Sequence, residues 1–173
     1  ARVRLGVLVL VILALLALRL VAQRWAFHAG EPASDGIRAF CQRVVDGDTI
    51  VLAGGERLRY IGIDTPETVD PRRPVEAFGH EAARYNLQLV EGREVRIELD
   101  VQERDRYGRL LGYVYVTGDD GREVFVNAEL VRQGYARVST WPPNVRYAEY
   151  FQQLEREARQ AGRGLWSEAA SGP

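Results

Sequence analysis

Alternating apolar and polar positions predict four β-strands between residues 40 and 117. The clearest case is residues 93–100, where Val95, Ile97 and Leu99 alternate with charged neighbours, as in a strand with one buried face. The stretch Ala-Gly-Gly-Glu at positions 53–56 has the small residues of a hairpin turn. The predicted strands cover residues 40–53, 57–64, 93–100 and 109–117.

Helical spacing of apolar residues predicts three helices, over residues 76–92, 126–134 and 144–162. Gly134 and Gly162 stand at the ends of the second and third helices, where glycine commonly stops a helix. Short strands with helices between and after them predict an α+β domain built on a small, twisted β-barrel.

The N-terminal stretch is strongly apolar and predicts a hydrophobic helix ahead of the domain. Arg2 and Arg4 precede an apolar run that extends, with one interruption, from Leu5 to Ala22. As a helix this run is roughly 27 Å long, close to the thickness of a bilayer core. We expect residues 1–22 to be an uncleaved signal anchor, because no Ala-x-Ala site follows. Removal as a signal peptide stays open, since the length fits both.

The rest of the chain divides by composition. Residues 23–38 mix Gly, Pro, Ser and charged residues without a period, and they predict a linker. A folded domain is expected over residues 39–168, followed by a short tail at 169–173. The two arginines before the apolar run predict a cytoplasmic N-terminus, with the domain outside the cytoplasmic membrane. If the N-terminal segment is cleaved, the domain is secreted instead.

Composition limits the chemistry that the chain can perform. Cys41 is the only cysteine, so no intramolecular disulfide forms, and we interpret it as a small buried side chain. The 18 arginines and 22 acidic residues from position 40 onward leave a net charge of −4. Proteins that bind nucleic acid usually carry a basic surface. A polyanionic ligand would therefore depend on a few local arginines or on a bound cation.

Carboxylates interrupt two of the predicted strands. The segment VVDGDTI at positions 44–50 contains Asp46 and Asp48, and GIDTPET at 62–68 contains Asp64 and Glu67. Oxygen ligands of this kind suit Ca²⁺, and the sequence has no cluster of His or Cys for a softer metal. For Asp46, ordinary turn chemistry is an equally good explanation, because Asp often caps its own backbone.

Arginines accompany these carboxylates. Arg59 lies five residues before Asp64, and the segment DRYGR supplies Arg106 and Arg109. A guanidinium group binds two phosphate oxygens at once through two parallel hydrogen bonds. A carboxylate such as Glu67 is able to take a proton from water. A divalent cation, a carboxylate base and two arginines together indicate a site for phosphodiester hydrolysis.

The chain resembles the staphylococcal nuclease (thermonuclease) family over most of residues 40–168. The resemblance is carried by VVDGDTI, RLRYIGIDTPET, DRYGRLLGYVY, VNAELVRQGYARV and the terminal GLWSE. Together these motifs are highly specific, although DGDT alone is not. The resemblance implies an OB-fold, a five-stranded β-barrel with three helices, and Ca²⁺-dependent cleavage of DNA and RNA.

The resemblance also implies roles for individual residues, carried over by matching position. The implied Ca²⁺ ligands are Asp48, Asp64 and the carbonyl of Thr65. Asp46 resembles a carboxylate that lies near the metal without binding it directly. Glu67 resembles the general base, Arg59 and Arg109 resemble the phosphate-binding pair, and Arg106 and Tyr107 resemble residues that hold a terminal phosphate.

One position departs from the family pattern. Where the family carries a tyrosine on which a base stacks, this chain reads STWPPN, and Trp141 offers an aromatic face instead. Packing of Trp141 beside Pro142 is an equally good explanation.

Two functions are compatible with these observations. The first is a monomeric, membrane-tethered endonuclease that acts on DNA or RNA. The second is a non-catalytic module on the same fold that binds nucleic acid or protein. The presence of Asp48, Arg59, Asp64, Glu67 and Arg109 favours the enzyme, while the acidic composition favours the module.

Overall fold

Five strands close into a barrel in the computed structural model, which describes residues 36–67 and 78–167. The described strands are β1 (Ile37–Val44), β2 (Thr49–Leu52), β3 (Arg57–Tyr60), β4 (Ile63–Asp64), β5 (Glu94–Glu98), β6 (Leu110–Thr117), β7 (Glu123–Phe125) and β8 (Arg137–Val138). Antiparallel pairing runs in the order β3-β2-β1-β5-β6, and parallel pairing of β3 with β6 closes the ring. The predicted five-stranded barrel is therefore confirmed.

Strand alternation fills the interior of the barrel. In β5, Val95 and Ile97 are 1% and 0% exposed, while the charged residues between and beside them are more exposed. Burying an aliphatic side chain of this size contributes about 1.5–3 kcal/mol. Cys41 is fully buried in the same core, and burial raises the pKa of its thiol to about 11. It is thus an inert core residue, as expected.

The three predicted helices are confirmed, and each is shorter than predicted. They are α1 (Gly79–Val90), α2 (Val126–Arg132) and α3 (Ala148–Gln160). Helix α3 buries Phe151, Leu154 and Ala158, which recur at helical spacing along one face. Helices α2 and α3 both end two residues before a glycine with positive φ, as their sequences predict.

Two strand predictions were wrong in the same way, because each covers two strands. Residues 40–53 form β1 and β2, joined by a tight turn at residues 45–48. Residues 57–64 form β3 and β4, separated by a turn at Gly62, whose φ is +80°. A Cβ at Gly62 would also lie 2.7 Å from the ring of Phe151. Apolar residues stand on both sides of each turn, so periodicity did not show where one strand ends and the next begins.

Strands of two or three residues escaped prediction, because they are too short to show a period. Strand β8 pairs with β4, which sets Asp64 opposite Arg137. Strand β7 extends the sheet beyond β6 and leads directly into α2. A 3₁₀ turn at Gly164–Trp166 was missed for the same reason.

The predicted N-terminal helix and anchor at residues 1–22 lie outside the described residues, as does the tail at 169–173. Strand β1 begins at Ile37, inside the stretch predicted as a linker. Within residues 36–67 and 78–167, no helix has the length and apolarity needed to span a bilayer.

Candidate active site

The turn between β1 and β2 carries Asp46, Gly47 and Asp48. The Asp46 Oδ1 atom accepts a hydrogen bond from the Asp48 backbone N–H at 3.1 Å, so Asp46 performs the turn chemistry weighed for it. A Cβ at Gly47 would lie 2.6 Å from Oγ1 of Thr65. Glycine is therefore required here for the turn to approach the chain that follows β4.

A buried amide ties this turn to helix α1. Asn86, which is fully buried, donates from Nδ2 to the carbonyl of Asp46 at 3.1 Å. Its Oδ1 accepts the hydroxyl of Tyr60 at 2.9 Å. The sequence analysis missed both residues, and the only signal was a polar residue on a helix face that is otherwise apolar.

The carboxylate of Asp48 is almost completely enclosed, with 4% of the residue exposed. Its Oδ2 accepts hydrogen bonds from the Thr65 backbone N–H at 2.8 Å and from the Thr65 hydroxyl at 3.0 Å. Nη1 of Arg59 lies 3.0 Å from the same oxygen, and the Thr49 hydroxyl donates to Oδ1 at 3.2 Å. The segment after β4 therefore folds back onto the turn between β1 and β2.

Electrostatics make this enclosed carboxylate costly to ionise. Burial raises the pKa of Asp48 above its usual range, while the Arg59 guanidinium lowers it. Asp46 and Asp64 raise this pKa further, because they are like charges close by. A cation bound beside Asp48 would favour its ionised form, so the environment suits a positively charged ligand.

Arg59 bridges the two carboxylates predicted to bind metal. Its Nη1 lies 3.0 Å from Asp48, and its Nη2 donates to Oδ1 of Asp64 at 2.7 Å. Nη1 also donates to the carbonyl of Ile63 at 3.0 Å, and only 17% of the side chain is exposed. These contacts hold the guanidinium in one orientation, where it neutralises the carboxylates.

Arg109 is positioned by Asp105, a residue that the sequence analysis missed. The two oxygens of Asp105 accept the Arg109 backbone N–H at 3.0 Å and the side-chain Nε–H at 2.7 Å. Burial opposes ionisation of Asp105, but the Arg109 bonds and one from the Tyr107 backbone lower its pKa overall. With Nε held in this way, the two Nη groups remain as a fork for a ligand.

One polar cavity of about 230 Å³ brings the predicted ligands and catalytic residues together. Its walls consist of Asp46, Asp48, Thr49, Arg59, Asp64, Thr65, Pro66, Glu67 and Arg109. Glu67 is half-buried and lies close to Asp64 and Thr65 in the sequence. The cavity thus combines carboxylates, a candidate base and two guanidinium groups.

A second cavity, of about 270 Å³, shares Arg59 and Arg109 with the first. Trp141 and Pro142 lie at its rim, and Trp141 is 76% exposed. The indole Nε1–H donates to Oγ of Ser139 at 3.1 Å, which fixes the edge of the ring. The exposed ring face suits stacking of a planar group better than it suits core packing.

Arg106 and Tyr107 lie on the surface beside these cavities but line neither of them. Nη2 of Arg106 donates to the Tyr107 hydroxyl at 2.6 Å, and its guanidinium carbon lies 4.7 Å from the centre of the ring. Tyr107 is 69% exposed. The two side chains therefore contact each other, and a ligand would reach them only by extending beyond Arg109.

The donor set fits a hard divalent cation. Ca²⁺ takes six to eight oxygen ligands, and the Asp48 and Asp64 carboxylates with the Thr65 carbonyl would provide oxygen only. The described residues contain no preformed group of three or more His, Cys, Asp or Glu side chains at metal-binding distances. Backbone carbonyls and water would therefore complete the coordination of any ion held here.

The sequence of this chain is similar to those of known nucleases. Residues 57–168 match the profile of the family described as staphylococcal nuclease homologue. The thermonuclease of Staphylococcus hyicus is 41% identical over 128 residues, which cover 72% of this chain and 73% of that protein. Endonuclease YncB of Bacillus subtilis (strain 168) is 37% identical over 150 residues, covering 82% of this chain and 69% of that protein.

Proposed function

This chain belongs to the staphylococcal nuclease family and is a phosphodiester-cleaving hydrolase, and we propose that it is a calcium-dependent endonuclease acting on DNA or RNA. The observation that carries the proposal is the shared cavity of Asp48, Asp64, Glu67, Arg59 and Arg109. Oxygen ligands, a carboxylate base and guanidinium groups there surround a space large enough for a phosphate group.

In the proposed reaction, Glu67 orients a water molecule and accepts one of its protons. The water oxygen forms a bond to phosphorus, and the bond between phosphorus and the leaving ribose or deoxyribose oxygen breaks. That oxygen takes up a proton from solvent water and leaves as a hydroxyl group. Calcium, when held by Asp48, Asp64 and the Thr65 carbonyl, would supply positive charge against the phosphate oxygens. Buried Asp48 is kept in position for this by Thr65 and Thr49.

The two arginines stabilise the negative charge that grows on the phosphate oxygens in the transition state. Arg109 contributes its Nη fork, held in place by Asp105. Arg59 already contacts Asp48 and Asp64, so it would exchange part of these contacts for phosphate oxygens when a cation binds the carboxylates. Trp141, Arg106 and Tyr107 are proposed to contact nucleotides beside the cleaved bond.

A non-catalytic binding module on the same barrel is no longer a competing explanation. The relatives that cover most of this chain are named as a thermonuclease and an endonuclease. The catalytic set is also brought into one cavity rather than scattered over the barrel. The monomeric state stays a prediction.

Calcium dependence is tested by measuring how fast the purified full chain cleaves a labelled oligonucleotide of 20 nucleotides. We expect activity with Ca²⁺, at least tenfold less with Mg²⁺, and none in excess EGTA. Mg²⁺ is smaller and demands nearly ideal octahedral geometry, whereas Ca²⁺ accepts six to eight oxygen ligands in varied arrangements. Full activity in EGTA would show that calcium is not required.

We further propose that residues 1–22 anchor the chain in the cytoplasmic membrane with the nuclease domain outside. Arg2 and Arg4 before the apolar run support this orientation. Added protease should digest the domain in spheroplasts and leave it intact in sealed inside-out vesicles. The opposite pattern would reverse the orientation, and a soluble form without residues 1–22 would replace the anchor by a signal peptide.

A further inference from the structure

A row of arginines crosses the outer face of the barrel. In the registers of β1 with β2 and of β2 with β3, Arg43 pairs with Val51, and Val51 pairs with Arg57. Residues directly opposite one another in paired strands carry their side chains on the same face. Because Ile50 and Leu58 are fully buried inside the barrel, Arg43 and Arg57 lie on its outside, with buried Val51 between them.

The row continues into the candidate active site. Leu58 of β3 pairs with Leu110, the first residue of β6, and Arg57 and Arg109 each precede this pair by one residue, so they lie side by side. Arg43, Arg57 and Arg109 thus follow one line across four neighbouring strands, a span of about 14 Å at 4.7–4.9 Å per strand. Only Arg109 of the three lines a cavity that contains Asp48.

Acidic partners of the two exposed arginines in this row are absent from the described part of the chain. Within the described residues, Arg43 and Arg57 are exposed and form no ion pair. Glu56, the neighbour of Arg57 in the chain, is bound to Arg104 at 2.5 Å. The Glu91 carboxylate accepts the backbone N–H of Val44 at 2.8 Å and, among the described residues, forms no ion pair with either arginine.

The sheet face formed by β5, β6 and β7 with the start of β1 is arranged differently. Three arginines there are each matched by an acid: Arg38 by Glu94 at 3.0 Å, Arg93 by Asp119 at 3.0 Å and Arg96 by Glu123 at 2.6 Å. In a domain with a net charge of −4, uncancelled positive charge along a line that leads to the site is a specific feature.

We propose that Arg43 and Arg57 form a track for the sugar–phosphate backbone of the substrate strand, extending from Arg109 across β3, β2 and β1. A nucleic-acid strand carries one negative charge on each phosphate, so a row of arginines offers its backbone several points of electrostatic contact. The proposal rests on the nuclease function and extends it, because it explains how an acidic domain holds a polyanion. The track makes binding dependent on strand length.

The test compares Arg43→Gln/Arg57→Gln with Arg84→Gln/Arg156→Gln in the full chain. The second pair removes the same charge from exposed positions in α1 and α3, and those arginines also form no ion pair in the described part of the chain. Binding of fluorescent oligothymidylate of 20 residues is measured by anisotropy in EGTA at several salt concentrations, with the strand checked for length by gel electrophoresis. Cleavage of the same strand and of a trinucleotide is measured in Ca²⁺.

We expect Arg43→Gln/Arg57→Gln to raise the Kd for the 20-mer roughly tenfold at low salt. The slope of log Kd against log salt concentration should fall by about 1.4, because two single-strand phosphate contacts are lost. Its KM for the 20-mer should rise several-fold more than its KM for the trinucleotide. The track would be overturned if both double variants lost the same affinity for the 20-mer. It would also be overturned if KM rose equally for the 20-mer and the trinucleotide. If the wild-type chain binds in this way without cleaving, the track stands and the nuclease function fails.

Discussion

Replacing Glu67 by glutamine should lower the rate of phosphodiester cleavage by about 10²- to 10⁴-fold, the usual contribution of a general base. Glu67 lines the cavity that also holds Asp48 and Arg109, so its carboxylate is able to reach a water molecule beside a bound phosphate. Glutamine has nearly the same size and still accepts and donates hydrogen bonds. It does not take up a proton at neutral pH, so the loss should appear in kcat.

The measurement is single-turnover cleavage of a 20-residue oligonucleotide at saturating Ca²⁺, with thermal unfolding followed by circular dichroism. Glu149→Gln is the matched control, because Glu149 is exposed on α3 and lies outside both cavities. The control should cleave at the wild-type rate. A Glu67→Gln variant that folds and cleaves as fast as the wild type would assign the proton transfer to another group.

Replacing Arg109 by lysine should cost nearly as much activity as replacing it by alanine. The expected loss is about 2 to 4 kcal/mol of transition-state stabilisation, comparable to the removal of a preorganised hydrogen-bond donor. Asp105 holds Nε of Arg109 at 2.7 Å, which leaves a planar fork directed by that contact. Lysine keeps the charge but has no fork, and its ammonium group would satisfy either Asp105 or the phosphate, with poorer geometry for both.

Steady-state cleavage of one short oligonucleotide at fixed Ca²⁺ gives kcat and KM for wild type, Arg109→Lys and Arg109→Ala. Both variants should lower kcat more than they raise KM, because the fork matters most as charge builds up on the phosphate. The same two substitutions at Arg156, which is exposed on α3, control for the change in charge. A near-wild-type rate for Arg109→Lys would mean that a point charge is sufficient.

The barrel strands and the helices were predictable because their buried residues recur at a regular spacing. Val95 and Ile97 in β5, and Phe151 and Leu154 in α3, carry the periods of a strand and a helix. The turns inside residues 40–53 and 57–64 were not predictable in the same way. Apolar residues continue on both sides of these turns, so periodicity gives no sign that a strand ends there.

Within the site, the residue types were predictable and the supporting contacts were not. The carboxylates and arginines stand out in the sequence because a strand-like context seldom tolerates them. Asp105 and Asn86 do not stand out, since acids in loops and amides in helices are common. Only the fold shows that Asp105 holds Arg109 and that Asn86 holds the backbone of Asp46.

The sequence by itself determined the kind of molecule: an α+β barrel of the nuclease family, with carboxylates and arginines in recognisable motifs. These properties depend on residue type and local spacing, which a linear chain displays directly. Tertiary structure decided which groups meet. Arg59 bridges Asp48 and Asp64, and Arg43 aligns with Arg57, because pairing of β1, β2, β3 and β6 brings distant segments into register. Register is set by how all the strands pack together, so it cannot be read from any one of them.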